Sequence, residues 1–146
     1  MMHRWAALCV LALGALVPTI GQAQASQDPP PARERPGVEL GQNYPNPFNP
    51  TTTIPFVIGD PAACQDTERE HVVTLRIYNI LAQLVAVPIL QGTGQQLLNL
   101  RLKCGSYTAY WDGHYLDSSR EVASGVYLYR IEVDGEVKVK KMIVSK

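Results

Sequence analysis

Residues 126–144 read VYLYRIEVDGEVKVKKMIV. Two runs rich in Val, Tyr and Ile flank the dipeptide Asp134-Gly135. A two-residue type I′ turn requires positive φ at both positions, so Asp-Gly between two strand-like runs is the strongest short-range hairpin signal. The stretch predicts an antiparallel ribbon. In its second arm Val137 and Val139 share one face and Met142 and Val144 the other, with Lys140-Lys141 at the change of phase. Either a bulge lies there, or the strand passes from one sheet to the edge of another. Four of the five lysines, Lys138, Lys140, Lys141 and Lys146, fall in the last nine residues. They either shield an exposed edge strand from aggregation or present a basic surface to a receptor.

The period-two pattern continues upstream. Strands are expected over residues 51–58, 71–79, 84–90, 96–102 and 107–111, joined by polar or glycine-rich turns. Pro55 points to an edge position or a bulge in the first of them, because it has no N–H to give a ladder. About seven short strands at this spacing predict an all-β antiparallel sandwich. The expected core comprises Ile54, Phe56, Val73, Leu75, Ile77, Val85, Val87, Leu98, Leu100, Trp111, Tyr127, Tyr129 and Ile131. No convincing amphipathic helix is present.

Ahead of the first of these strands stands GQNYPNPFNP, residues 41–50. Each proline fixes its own φ and pushes the preceding residue out of the helical region. Tyr44, Pro45, Asn46, Pro47, Phe48, Asn49 and Pro50 therefore read as a pre-ordered corner, with Tyr44 and Phe48 as apolar anchors; a recognition peptide is the other reading. Trp111, Asp112 and Gly113 end a strand, and Asp112 is expected to cap the turn with its short side chain.

The chain has 146 residues, enough for one domain, and 13 basic residues balance 13 acidic ones. A zero formal charge argues against a nucleic-acid binder. Residues 1–25 read as a secretory signal peptide, with His3 and Arg4, an apolar run, and small residues at Ala23 and Ala25 before the cleavage point. The apolar run falls short of the ~20 residues a membrane span needs. Residues 26–37, SQDPPPARERPG, form a Pro-rich linker, and residues 38–146 the domain. Export leaves two cysteines, Cys64 and Cys104, which pair in an oxidising compartment or else remain two buried thiols. No catalytic constellation emerges: His71 and His114 read as surface or turn histidines, and G-x-S-x-G is absent. No enzyme activity, cofactor or metal is expected, and no membrane span after the signal.

LGQNYPNPFNPTTTIPF, LRIYNILAQLV, YWDG and VASGVYLYRIEVDGEVKVKKMIVSK occur in that order. Together they resemble the C-terminal sorting domain of the type IX (Por) secretion system of Bacteroidetes and their relatives. The pattern is also similar to the immunoglobulin-like domain of the flagellar hook-capping protein FlgD. The resemblance spans residues 38–146. It implies an immunoglobulin-like sandwich without enzyme activity, recognised by an outer-membrane translocon and its processing enzyme. The protein would cross the periplasm and reach the cell surface or the medium. Gly125, Tyr127 and Tyr129 fall in the matched SGVYLYRI segment, with Gly125 and Tyr127 at the family's Gly and Tyr positions. Lys138, Lys140, Lys141 and Lys146 fall in its basic tail. Three features depart from the family: Ala82 and Ser119 stand where glycine is usual, and the cysteine pair is not a general feature. Family members also carry a cargo ahead of this domain. Here only the linker intervenes, so the domain is expected to be a small secreted or surface immunoglobulin-like structural or adhesive module itself, or a minimal passenger or remnant.

Overall fold

A computed structural model of the chain describes residues 37–60, 63–116 and 118–146. The signal peptide and all but the last residue of the linker lie outside the described residues. These contain nine strands: β1 Val38–Leu40, β2 Thr52–Ile58, β3 Glu70–Asn79, β4 Leu84–Ala86, β5 Ile89–Leu90, β6 Leu100–Lys103, β7 Gly105–Trp111, β8 Gly125–Val133 and β9 Glu136–Val144. The described residues have no α-helix, and no helix among them is long and apolar enough to cross a membrane. Two antiparallel sheets form, in the orders β1-β2-β7-β5 and β4-β3-β8-β9, with β6 also paired to β3.

Alternation builds the core. Ile54, Phe56 and Ile58 of β2 and Ala109 and Trp111 of β7 are buried from one sheet. Val73, Leu75 and Ile77 of β3, every second residue of β8 from Tyr127 to Val133, and Met142 and Val144 of β9 are buried from the other. All belong to one hydrophobic cluster. The β8–β9 ribbon pairs without a break from Val133↔Glu136 to Gly125↔Val144, around Asp134 (φ 48°) and Gly135 (φ 86°). The hairpin expected from Asp-Gly is therefore present.

Several expectations are corrected. There is neither bulge nor sheet change at Lys140-Lys141. Met142 and Val144 share a face with Lys138 and Lys140, while Val137 and Val139 lie on the outer face, 39% and 51% exposed. Pro55 lies in an interior strand, since β2 pairs with both β1 and β7. Residues 84–90 are two strands in different sheets. The chain crosses between layers at Pro88, which has no N–H with which to continue a ladder. The crossing leaves Ala86 and Leu90 buried and Val87 only half-buried. Leu98 is 44% exposed and Leu97 fully buried. Asn99 takes φ 51° there, with its amide bonded to Thr74 Oγ1 (2.9 Å). That left-handed step shifts the alternation by one, so buried Leu97 is followed by half-buried Leu100.

Candidate functional site

The sequence singled out the C-terminal ribbon, the proline lead-in and the Trp111 turn, and the structure brings parts of all three to one end of the two sheets. The lead-in starts as an extension of β1. The Gly41 amide donates to the Pro55 carbonyl (2.8 Å), and Tyr44 and Thr53 exchange two backbone hydrogen bonds of 2.8 Å. Between those pairs the lead-in carries one residue more than β2, the signature of a bulge. The bulge turns Asn43 inward, to 2% exposure. Its side-chain Nδ2 donates to Thr52 Oγ1 (3.0 Å) and to the Pro45 carbonyl (3.1 Å).

Pro55 makes this arrangement possible. In a closely paired antiparallel couple each residue donates to the other. Pro55 cannot, so the Gly41 carbonyl lacks its ladder partner. The Tyr129 hydroxyl of β8 donates to that carbonyl (2.8 Å) and accepts from the Asn43 amide (3.1 Å). Tyr129 is fully buried, and burial raises its phenol pKa above the usual value, opposed by the hydrogen bond at Asn43. A residue of the C-terminal ribbon thus ties the two sheets together.

The lead-in then crosses to β9. Phe48 is 2% exposed and packs edge-on to Trp111, ring centroids 5.5 Å apart. Its amide donates to the Ile143 carbonyl (3.0 Å), and its carbonyl accepts from Ser145 (3.0 Å). Asn46 Oδ1 accepts from the Ile143 amide (2.9 Å). Phe48 is therefore an anchor, but Tyr44 is not: it is 77% exposed, because the bulge spends the inward position on Asn43. The Tyr44–Pro45, Asn46–Pro47 and Asn49–Pro50 peptide bonds are cis.

The Trp111 turn closes the same end. Asp112 Oδ1 accepts from the His114 amide (3.0 Å), so Asp112 caps the turn as expected, and Trp111 Nε1 donates to the His114 carbonyl (3.0 Å). Gly113 (φ 78°) lies so close to the Pro50 carbonyl that a Cβ would collide with it. Tyr127 of β8 stacks edge-on to Trp111 and donates its hydroxyl to the Ala123 carbonyl (2.9 Å). Burial raises the Tyr127 phenol pKa, and Tyr115 adds to the rise. Gly125 (φ 151°) opens β8 in a conformation that side chains disfavour, with open space where a Cβ would project.

The lysines do not converge on a pocket. At ~3.3 Å per residue, β9 spreads Lys138, Lys140 and Lys141 along an edge, and Lys146 follows two residues past its end. All four are exposed. Lys138 and Lys140 overhang a groove of about 360 Å³ whose other wall is Val38, Glu39 and Leu40 of β1. Lys138 Nζ lies 3.6 Å from Glu136, and Lys146 Nζ 2.8 Å from Glu121, whose carboxyl pKa that hydrogen bond lowers. Lys146 is further held by its amide, which donates to Ser124 Oγ (3.1 Å). The C-terminal residue is pinned.

One cluster escaped the sequence reading. His71 is fully buried, not at the surface. Its Nδ1 lies 2.8 Å from Asp134 Oδ2 and its Nε2 3.7 Å from Cys104 Sγ. Cys104 is bonded to Cys64, which settles the choice between a disulfide and two thiols. Asp134, in the hairpin turn, and Cys104, as half of a cysteine pair, carried legible signals, but their meeting at His71 did not. His114 is a turn histidine, as expected.

No family model and no curated protein matches the sequence. Among solved structures, the Pseudomonas fluorescens alkylpurine DNA glycosylase AlkC, bound to DNA containing an abasic site analog, is similar over 75% of this chain, at 14% identity and a TM-score of 0.43. The match covers 30% of the glycosylase chain. A likeness this slight carries no argument about fold or function.

Proposed function

We propose that residues 38–146 form a non-enzymatic secretion-targeting module, an immunoglobulin-like domain of the type IX sorting kind, read by an outer-membrane translocon through its C-terminal edge. The observation that carries this reading is the build of β9. Met142 and Val144 bury one end of the strand in the core, while Lys138, Lys140 and Lys141 stand exposed along the same strand. A rigid strand thereby offers charge at fixed spacing. The Tyr127 hydroxyl bonded to a carbonyl four residues upstream resembles the tyrosine corner of immunoglobulin-type sandwiches. A signal peptide over residues 1–25 would bring the protein to the periplasm, and surface or extracellular delivery would follow.

The test fuses residues 38–146 to a periplasmic reporter in a host that has this secretion system. Truncating the last nine residues would remove Met142 and Val144 and damage the fold, so the control is Lys138→Gln/Lys140→Gln/Lys141→Gln. The wild-type fusion should reach the surface and the glutamine variant should stay in the periplasm. Equal delivery of both, or of neither, defeats the proposal.

A second reading, a structural or adhesive module, draws on the outer face of the β8–β9 ribbon, where Val126, Val137, Val139 and Ile143 are 39–51% exposed. Recovery of a surface partner from cell envelopes, with no translocon component and with loss on Val139→Ser/Ile143→Ser, would favour it.

A further inference from the structure

Cys104, His71 and Asp134 come from three separate elements: the turn between β6 and β7, the start of β3, and the β8–β9 turn. They form a line. Cys104 Sγ lies 3.7 Å from His71 Nε2, and His71 Nδ1 lies 2.8 Å from Asp134 Oδ2. The carboxylate is itself oriented, since Asp134 Oδ1 accepts from the Val72 amide (2.9 Å) and Asp134 sits in a left-handed turn conformation. Nδ1 facing a carboxylate is the nitrogen that carries a proton, so Nε2 is directed at sulfur.

The oxidised state uses this geometry poorly. A disulfide sulfur is a weak hydrogen-bond acceptor, whereas a thiolate beside an imidazolium makes a charge-assisted contact. A fully buried imidazole aimed at sulfur therefore complements the reduced Cys104 better than the oxidised one. The pair is also asymmetric. Cys64 Sγ faces the Ile58 carbonyl at 3.7 Å, which offers a negative charge nothing. Cys64 stands on a short 3-10 turn, Ala63–Gln65, and the residues that follow it, 65–70, are exposed. Both cysteines are half-buried, so the asymmetry lies in what each sulfur faces: only Cys104 has an imidazole beside it to take up a proton.

We propose that the Cys64–Cys104 bond is an exchangeable disulfide with a fixed polarity: a dithiol attacks Cys64, and Cys104 leaves as a thiolate held against His71. In the first step the thiolate of the dithiol bonds to Cys64 Sγ, and the electron pair of the broken S–S bond passes to Cys104. In the second step the remaining thiol of the dithiol attacks its own sulfur in the mixed disulfide and releases Cys64 as a thiol. Of the two protons that the dithiol loses, Cys64 takes one and His71 the other. The dithiol ends as a disulfide, having given two electrons. A leaving thiol of lower pKa leaves faster, so His71 sets both the rate and the direction. The other titratable groups placed near the cluster are Asp60, Glu68, Arg69, Glu70, Lys103 and Tyr107. Lys103 is held by Glu68 (2.6 Å). Asp134, the partner of His71, also feels Arg69.

The experiment starts with the full chain, folded and oxidised. It is treated with the monothiol 2-mercaptoethanol, quenched with N-ethylmaleimide, and mapped by mass spectrometry. The mixed disulfide should form on Cys64, with Cys104 carrying the maleimide, and His71→Gln should slow its formation about tenfold or more. An adduct on Cys104, or an unchanged rate in His71→Gln, overturns the proposal. A second measurement reads the reduced state. In Cys64→Ser, the rate of alkylation of Cys104 by iodoacetamide should rise with a midpoint at least about one pH unit below the usual thiol value near 8.5. Asp134→Asn should move that midpoint upward. An ordinary midpoint, or one indifferent to Asp134, also overturns the proposal. A purely structural histidine would move neither readout.

Discussion

Replacement of Tyr129 by phenylalanine tests the link between the lead-in and the second sheet. The ring would stay in the core, and only the hydroxyl would go. Its loss leaves the buried Asn43 amide and the half-buried Gly41 carbonyl without that partner. An unsatisfied buried polar group costs about 1–3 kcal/mol; because the Gly41 carbonyl is only half-buried, the pair should cost about 2–4 kcal/mol, the lower part of the summed range. That is a large share of the 5–15 kcal/mol typical of a domain. Urea titration followed by tryptophan fluorescence reads it directly, and a thermal melt should drop by about 8–20 °C. The decisive comparison is with Pro55→Ala. Alanine supplies an N–H aimed at the Gly41 carbonyl, which the proline lacks. In that background Tyr129→Phe should cost at least about 1 kcal/mol less, a coupling that a double-mutant cycle resolves. A single-mutant cost below about 0.5 kcal/mol, or the same cost in both backgrounds, would refute the reasoning.

Three further outcomes follow from particular residues. Ala82 sits at φ 60°, where a Cβ costs about 1–2 kcal/mol; after the greater chain entropy of glycine is deducted, Ala82→Gly should stabilise by about 0.5–1 kcal/mol in urea titration. The disulfide closes a separation of 40 residues, for which loop entropy gives about 4 kcal/mol; Cys64→Ala/Cys104→Ala should lose about that much under non-reducing conditions. Burial alone would raise the Asp134 carboxyl pKa, but hydrogen bonds from His71 and the Val72 amide outweigh it and hold the pKa below its ordinary value. Such a group contributes stability above its unfolded pKa of about 3.9, and the contribution is lost as pH falls through the folded value. Asp134→Asn should therefore narrow the gap between unfolding free energies measured at pH 7 and at pH 3.

What could be read from the sequence was set by how local the cause is. Asp134-Gly135 dictates its own turn, and Val73, Leu75 and Ile77 alternate against polar neighbours, so hairpin and central strand were legible. Leu97 and Leu98 were not separable, because the choice depends on Asn99 adopting a left-handed conformation that Thr74, on another strand, holds in place. Pro88 was visible as a breaker, but nothing local says that the chain resumes in the opposite sheet. Pro55 was read by the right rule: β2 is not an edge strand, but a bulge does lie beside Pro55, in the lead-in that pairs with it. Its missing N–H matters only toward Gly41, and the compensating hydroxyl lies 88 residues from that glycine. His71 failed for the same reason, since its partners Asp134 and Cys104 are 63 and 33 residues distant.

The lead-in and the lysines divide the guarding of one strand edge between them. In β9 the odd-numbered backbone groups point away from β8. At Ile143 both groups are taken by Asn46 and Phe48, and the Lys141 carbonyl accepts from Gln42 Nε2 (3.2 Å). From Val137 to Lys141 the backbone edge is covered less, and there Lys138, Lys140 and Lys141 stand. An exposed edge invites a further strand, and lysines discourage it. That discouragement is selective. A second copy of this chain docking edge to edge would bring its own lysines against these, and like charges opposed across a ladder are destabilising. A strand bearing acidic side chains would meet no such penalty. On the proposed targeting role, shielding against self-association and recognition by a receptor would be the same electrostatics applied to two different visitors, and neutralising the three lysines should weaken both. A glutamine variant that stays monomeric at high concentration, yet is no longer delivered, would show the edge to be sealed by other means and the lysines to serve recognition alone.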